Sequence, residues 1–207
     1  MIISLAQRIT WLAMLLLNCF LFRLRVSGKE STGRLKSGPL IIACNHKSFW
    51  DNFFLDYALG FNFPTLRFMT ADWVFKKWWG FIAVILGGFP IFKKQGLEVS
   101  LKKPLKILRN KGVVVIYPEG KIIKESNLVG KPRRGVGALG LWSNATILPV
   151  AIKGSRGMRN KKKAEMKFGS PFLIRDLMSP ASLNPTMEDF AEASEIIMDK
   201  IRDLFYK

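Results

Sequence analysis

His46 is the single histidine in a chain of 207 residues, and Asp51 stands five residues after it. Both lie in Asn45-His46-Lys47-Ser48-Phe49-Trp50-Asp51, directly after the apolar run Leu40-Ile41-Ile42-Ala43-Cys44. A His–Asp pair has a definite chemical use. The carboxylate accepts the proton on one ring nitrogen and fixes the tautomer, and the other nitrogen can then take a proton from an attacking hydroxyl. On a regular helix five residues rotate by about 500°, so the two side chains would not face each other. They meet if His46 lies in a turn and Asp51 in the opening turns of the helix that follows. A purely structural reading exists beside this one. Ser48-x-x-Asp51 has capping-box spacing, with Asp in place of the usual Glu, and Asp51 would then only cap a helix. Cys44 shares a strand face with His46, so a covalent role is geometrically conceivable, but a small buried strand residue is the simpler reading. One histidine with scattered carboxylates makes no metal-ligand set, and no cofactor is implied.

The elements that must position this pair are legible. Leu40 to Cys44 reads as a buried strand, followed by a helix over 48–59. Leu66 to Met69 reads as a second strand. Residues 73–92 form an aromatic-rich apolar patch with Trp73, Trp78, Trp79 and Phe81, either core or a surface that faces a membrane, since Trp favours the headgroup boundary. A helix is expected over 97–110 that Pro104 interrupts or kinks. Val113 to Tyr117 is the clearest strand signal, residues 121–134 form a basic loop, and 135–142 a short helix. Further strands are expected at 147–152 and 165–168. Phe190, Ile197, Ile201 and Leu204 share one face of a C-terminal helix. Strands alternating with helices predict an α/β fold, a mixed sheet flanked by helices.

Composition narrows the partners. The formal charge is +18, from 33 basic and 15 acidic residues, and apolar residues make up 49%. Residues 93–134 hold twelve Lys or Arg against three Glu, so half of the net charge sits there. Such a field attracts anions: headgroups, phosphorylated substrates, nucleic acid or an acidic carrier protein. No nucleic-acid-binding motif is present, and the apolar segments favour a membrane. Arg159 and Lys161 to Lys163 read as a solvated loop or a contact for anionic lipid. Cys19 and Cys44 suggest neither a disulfide framework nor a metal site.

The run WLAMLLLNCFLF at 11–22, with Ile9 and Thr10 before it, is flanked by Arg8, Arg23 and Arg25. Fourteen helical residues reach about 21 Å, short of the roughly 30 Å of a bilayer core. No small-x-small cleavage site follows, so a signal peptide is disfavoured. The expectation is an uncleaved helix lying in one leaflet, with the rest of the chain on the cytoplasmic face. The expected division is a membrane-associated helix over 1–27 and a catalytic domain over 28–207.

Asn45-His46-x-x-x-x-Asp51 resembles the His-x4-Asp signature of the glycerolphosphate acyltransferase family, which includes the 1-acylglycerol-3-phosphate acyltransferases. Three further blocks follow in that family's order: Gly88-Phe89-Pro90-Ile91-Phe92-Lys93, Tyr117-Pro118-Glu119-Gly120 and Leu148-Pro149-Val150-Ala151-Ile152. The resemblance covers residues 38–155. It implies direct acyl transfer from a thioester, acyl-CoA or acyl carrier protein, to a glycerolipid hydroxyl, lysophosphatidic acid first among the acceptors. His46 would be the base and Asp51 its partner, with Asn45 and Ser48 beside them. Lys93, Glu119 and Gly120 would hold the acceptor, and Pro149 would line the acyl or thioester site. Three places depart from the pattern. Tyr117 stands where Phe is usual. Lys93 stands where Arg is usual, a point charge in place of a bidentate fork. Lys121-Ile122 stands where Thr-Arg or Ser-Arg usually follows the Gly, so Lys121 or Lys124 would have to supply that charge. The departures leave room for another lysolipid or an acyl-amino-acid lipid as acceptor. The charge alone would also suit a basic membrane-binding protein without catalysis.

Overall fold

The computed structural model describes residues 2–20, 23–33, 35, 38–156, 163–178 and 184–207. Arg159, Lys161 and Lys162 of the basic run, and the side chain of Cys19, lie outside that set. In chain order the elements are α1 (Ile2–Phe20), β1 (Arg23–Ser27), β2 (Leu40–Cys44), α2 (Asp51–Leu59), β3 (Leu66–Ala71), α3 (Asp72–Phe75) and α4 (Gly80–Ile85). Then follow β4 (Gly88–Ile91), α5 (Gly96–Arg109), β5 (Val113–Ile116), α6 (Gly135–Ser143), β6 (Thr146–Lys153), β7 (Lys163–Phe168) and α7 (Met187–Tyr206). The strands form one sheet in the order β1-β7-β6-β2-β5-β3-β4. The five strands from β6 to β4 are parallel, β7 is antiparallel to β6, and β1 runs parallel with β7. This is the mixed α/β sheet expected from the sequence.

Both faces of the sheet are covered, which is why β2 and β5 read as unbroken apolar runs. Ile41, Ala43, Val114 and Ile116 pack toward α5, α6 and α7. Leu40, Ile42, Val113 and Val115 pack on the other face with Met14 of α1 and with Phe54, Leu55 and Ala58 of α2. The C-terminal helix buries Phe190, Ile197, Ile201 and Phe205, and its start carries a capping box between Thr186 and Asp189. Helix α6 lies hard against it. A Cβ built on Gly137 would stand 2.2 Å from the Phe190 carbonyl oxygen, and the Gly137 amide donates to Ser194 Oγ at 3.0 Å.

Two local outcomes differ from the sequence reading, and a third decides between alternatives it left open. Helix α5 runs unbroken through Pro104, whose ring is buried. No strand is expected over 23–27, yet β1 forms there, its residues alternating between exposed and half-buried at the edge of the sheet. The aromatic patch is not core: Trp73 is 56%, Trp78 86% and Phe81 58% exposed.

Helix α1 is docked, not free. Gln7 is buried, donates from Nε2 to the Leu66 and Leu86 carbonyls and accepts from the Leu66 amide. Trp11 donates to the Tyr57 carbonyl of α2. Among the described residues, no helix is long and apolar enough to cross a membrane.

Candidate active site

Strands β2 and β5 are neighbours, with Ala43 opposite Ile116. The residues just past their carboxyl ends therefore emerge side by side, where open parallel sheets bind ligands. His46 follows β2 and Tyr117 follows β5. The loop between β2 and α2 is pinned at three points. Asn45, fully buried, donates to the Ile152 carbonyl at 2.9 Å and accepts from the Ile152 amide at 2.7 Å, tying it to β6. The His46 carbonyl accepts from the Ile123 amide. The His46 amide donates to Glu119 Oε2 at 2.7 Å.

Asp51 opens α2 and its side chain folds back over the turn. Its Oδ2 stands 2.9 Å from His46 Nδ1 and accepts from the Lys47 and Ser48 amides at 2.6 and 2.8 Å. Its Oδ1 accepts from Ser48 Oγ at 3.1 Å and from Ser155 Oγ. Only half of a capping box is formed, the Asp51 carboxylate accepting from the Ser48 amide; α2 begins after Trp50 with no side-chain cap. Every other partner of Asp51 is a donor, so the carboxylate acts as an acceptor and His46 Nδ1 must carry the hydrogen. That leaves the Nε2 lone pair for a substrate proton, and His46 lines the main cavity.

The cavity measures about 950 Å³. One end holds His46, Tyr117 and the basic side chains Lys93, Lys121, Arg133 and Arg134; the other runs between α2, β3 and α4 over Phe53, Phe68, Ile82 and Leu86 to Thr10 of α1. Lys93 donates to the Gly120 carbonyl at 2.5 Å. Burial, with help from neighbouring Arg133, lowers its ammonium pKa. Gly120 has φ +64°, and a Cβ there would lie 2.7 Å from Arg133 Cδ. Glycine is thus required for the turn and for the approach of the arginine.

Glu119 is 2% exposed, and its two oxygens are taken by the His46 and Gly130 amides. Burial raises its pKa, against the lowering effect of those two amides. It ties the His46 turn to the basic loop. Lys47, also buried, reaches the Glu125 and Leu128 carbonyls of the same loop, and burial lowers its pKa. Pro149 lies within β6 opposite Ala43 and is not among the cavity-lining residues; its carbonyl accepts from the Gly169 amide. Cys44 is 1% exposed, and burial first, then the charges of Asp51 and Glu119, push its thiol pKa well up. It is poorly suited to nucleophilic attack.

The structure thus gathers His46, Lys93, Gly120 and Lys121 around one cavity, with Asp51 and Ser48 buried behind His46. Asn45 and Glu119 stand behind it as braces. Lys47, Ser155, Arg133 and the contacts of Tyr117 had no role in the sequence reading. Ser155 lies 104 residues from Asp51 and carries no local signal. Arg133 belonged to a basic loop whose geometry was not legible.

Residues 23–153 match the Acyltransferase family model. Over 168 residues the chain is 28% identical to the 1-acyl-sn-glycerol-3-phosphate acyltransferase of Bacillus subtilis (strain 168), covering 79% of this chain and 80% of that one. The fold is similar to the crystal structure of the 1-acyl-sn-glycerophosphate (LPA) acyltransferase PlsC from Thermotoga maritima, with a TM-score of 0.66 at 16% identity over 99% of this chain and 81% of that one. With four ordered blocks, a match over more than half its length and a His–Asp pair at the mouth of a two-character cavity, this chain belongs to the Acyltransferase family.

Proposed function

We propose that the protein transfers a fatty acyl group from an acyl thioester to the free hydroxyl of lysophosphatidic acid, giving phosphatidic acid. The carrying observation is the position of the His46–Asp51 pair: Asp51 is buried behind His46, and His46 lines the basic end of a cavity whose other end is apolar. Lys93 and Arg133 would hold the acceptor phosphate, with Lys121 and Arg134 at the rim. Arg133 answers the departure after Gly120: its guanidinium can form the bidentate contact that Lys93 cannot. The apolar end would take an acyl chain. Ser48 would act through Asp51, whose carboxylate it holds.

In the reaction, His46 Nε2 accepts the hydroxyl proton while the oxygen attacks the thioester carbonyl carbon. The C–S bond of the tetrahedral intermediate breaks, and the imidazolium returns its proton to the departing thiolate. Products are an oxygen ester and a free thiol. Acyl-CoA or an acyl carrier protein would be the donor, and the basic surface suits the anionic character of either. No cofactor is needed for this chemistry.

The protein would work at the cytoplasmic face of a membrane, through α1. Ile2, Leu5, Ile9, Leu12 and Leu16 follow helical spacing on its outer side and are all more than half exposed. Such a stripe, in a chain that also exposes Trp73 and Trp78, fits a helix lying in the interface.

The test is acyl transfer by detergent-purified full-length protein, with labelled acyl-CoA or acyl carrier protein and a panel of lysolipids. Labelled phosphatidic acid formed fastest from lysophosphatidic acid is the expected result. Faster transfer to an acceptor without a phosphate monoester would refute the assignment of the headgroup.

A further inference from the structure

Asp51 grips the His46 imidazole by its edge. The face of the ring is held by something else. The ring of Tyr117 lies 3.9 Å from it, centroid to centroid, with only 14° between the planes. The Tyr117 hydroxyl donates to Asn52 Oδ1 at 2.6 Å. Asn52 is the residue after Asp51, in the first turn of α2.

We propose that Tyr117 is a positioning residue for the acyl transfer, and that α2 orients the base through two adjacent side chains: Asp51 on the edge of the ring and Asn52, through Tyr117, on its face. The proposal rests on the reading of His46 as general base.

Each contact does a separate job. A bond to Nδ1 fixes the tautomer but still lets the ring swivel about that bond. The stacked phenol removes the swivel and aims Nε2 into the cavity. The phenol also bears on the charge that develops. Once His46 has taken the hydroxyl proton, a cationic ring lies on an electron-rich face. The phenol itself stays neutral, because burial and then the charge of Asp51 push its pKa well above the ordinary value. The hydroxyl bond keeps the aromatic ring from sliding off. Positioning of this kind raises kcat and leaves acceptor binding almost untouched.

The experiment compares the full chain with Tyr117→Phe, Tyr117→Leu, Asn52→Leu and the double variant Tyr117→Phe/Asn52→Leu. Steady-state kinetics across pH are read beside the NMR signal of His46 Hε1, which is unambiguous because the chain has one histidine. Tyr117→Leu should lower kcat about 10- to 100-fold with KM within about twofold, for the loss of both stack and tether. It should abolish the ring-current displacement of Hε1. Tyr117→Phe and Asn52→Leu should each cost about 3- to 10-fold in kcat, and the double variant no more than the worse single, since all three cut one bond.

Wild-type kcat in a folded Tyr117→Leu protein, a loss confined to KM, or multiplicative losses in the double variant would overturn the proposal. If Tyr117→Leu does not fold, the two milder variants and their double decide it. A wild type that transfers no acyl group would instead bring down the general-base reading itself.

Discussion

At the scale of single residues, Asp51 is the most constrained group in the site. It receives five donors: His46 Nδ1, two backbone amides and two serine hydroxyls. Asn in its place would turn an NH2 either toward the Lys47 and Ser48 amides, which only donate, or toward the two serine hydroxyls, which would have to turn round to accept. It would also favour the wrong imidazole tautomer. Asp51→Asn should therefore lower kcat by about 10³- to 10⁴-fold with the fold retained, measured by initial rates beside circular dichroism. Arg133 makes a different prediction, because it would bind and not react. Arg133→Ala should raise KM for lysophosphatidic acid by roughly 10- to 100-fold and change kcat less, the signature of a lost charge-assisted contact. An effect on kcat alone would remove Arg133 from the headgroup site.

At the scale of elements, the packing of α1 on α2 carries a titrating group. Asp56 of α2 faces α1, with Thr10 Oγ1 3.4 Å from its Oδ2. Burial raises its pKa from 3.8 to about 7, only partly opposed by that contact. The folded state thus holds this proton more tightly than the unfolded chain. The contribution to stability is complete below about pH 4 and is lost as pH rises toward and through about 7. The loss amounts to about 2–4 kcal/mol. Asp56→Asn should abolish that slope, so its advantage in thermal midpoint over wild type should grow from pH 5 to pH 8. A constant difference would mean that Asp56 is solvated. Packing of α6 on α7 is tight in another sense. Gly137→Val should destabilise by about 2 kcal/mol or more, because a side chain would strike the Phe190 carbonyl. The order of elements was readable because a sheet covered on both faces prints apolar runs, as at β2 and β5. Strand β1 was not, because Arg23-Leu24-Arg25-Val26-Ser27 lies at an edge and buries little. Pro104 marked an interruption or a kink, since proline removes a helix hydrogen bond; the interruption does not occur, and the ring is buried within a continuous α5. In the site, His46 and Asp51 were legible as near neighbours in sequence. Ser155, Arg133 and the Tyr117–Asn52 tether were not, since only the sheet brings them together.

At the scale of the whole molecule, apolar and basic surface divide the work. The outer stripe of α1 and the exposed tryptophans near α3 suit a lipid surface, while the basic residues gather at the cavity's reacting end. Replacing Leu12 and Leu16 by Asp should weaken binding to anionic vesicles at least tenfold in a sedimentation assay, with the thermal midpoint in detergent nearly unchanged. Unchanged binding would place the lipid contact elsewhere. The central claim remains that His46 takes the proton from the acceptor hydroxyl. Its most direct test is the rate of phosphatidic acid formation by His46→Ala against wild type, at saturating donor and acceptor and with folding verified. The account predicts product from wild type and a loss of at least about 10³-fold in the variant. A folded His46→Ala protein that makes phosphatidic acid at a comparable rate would contradict it.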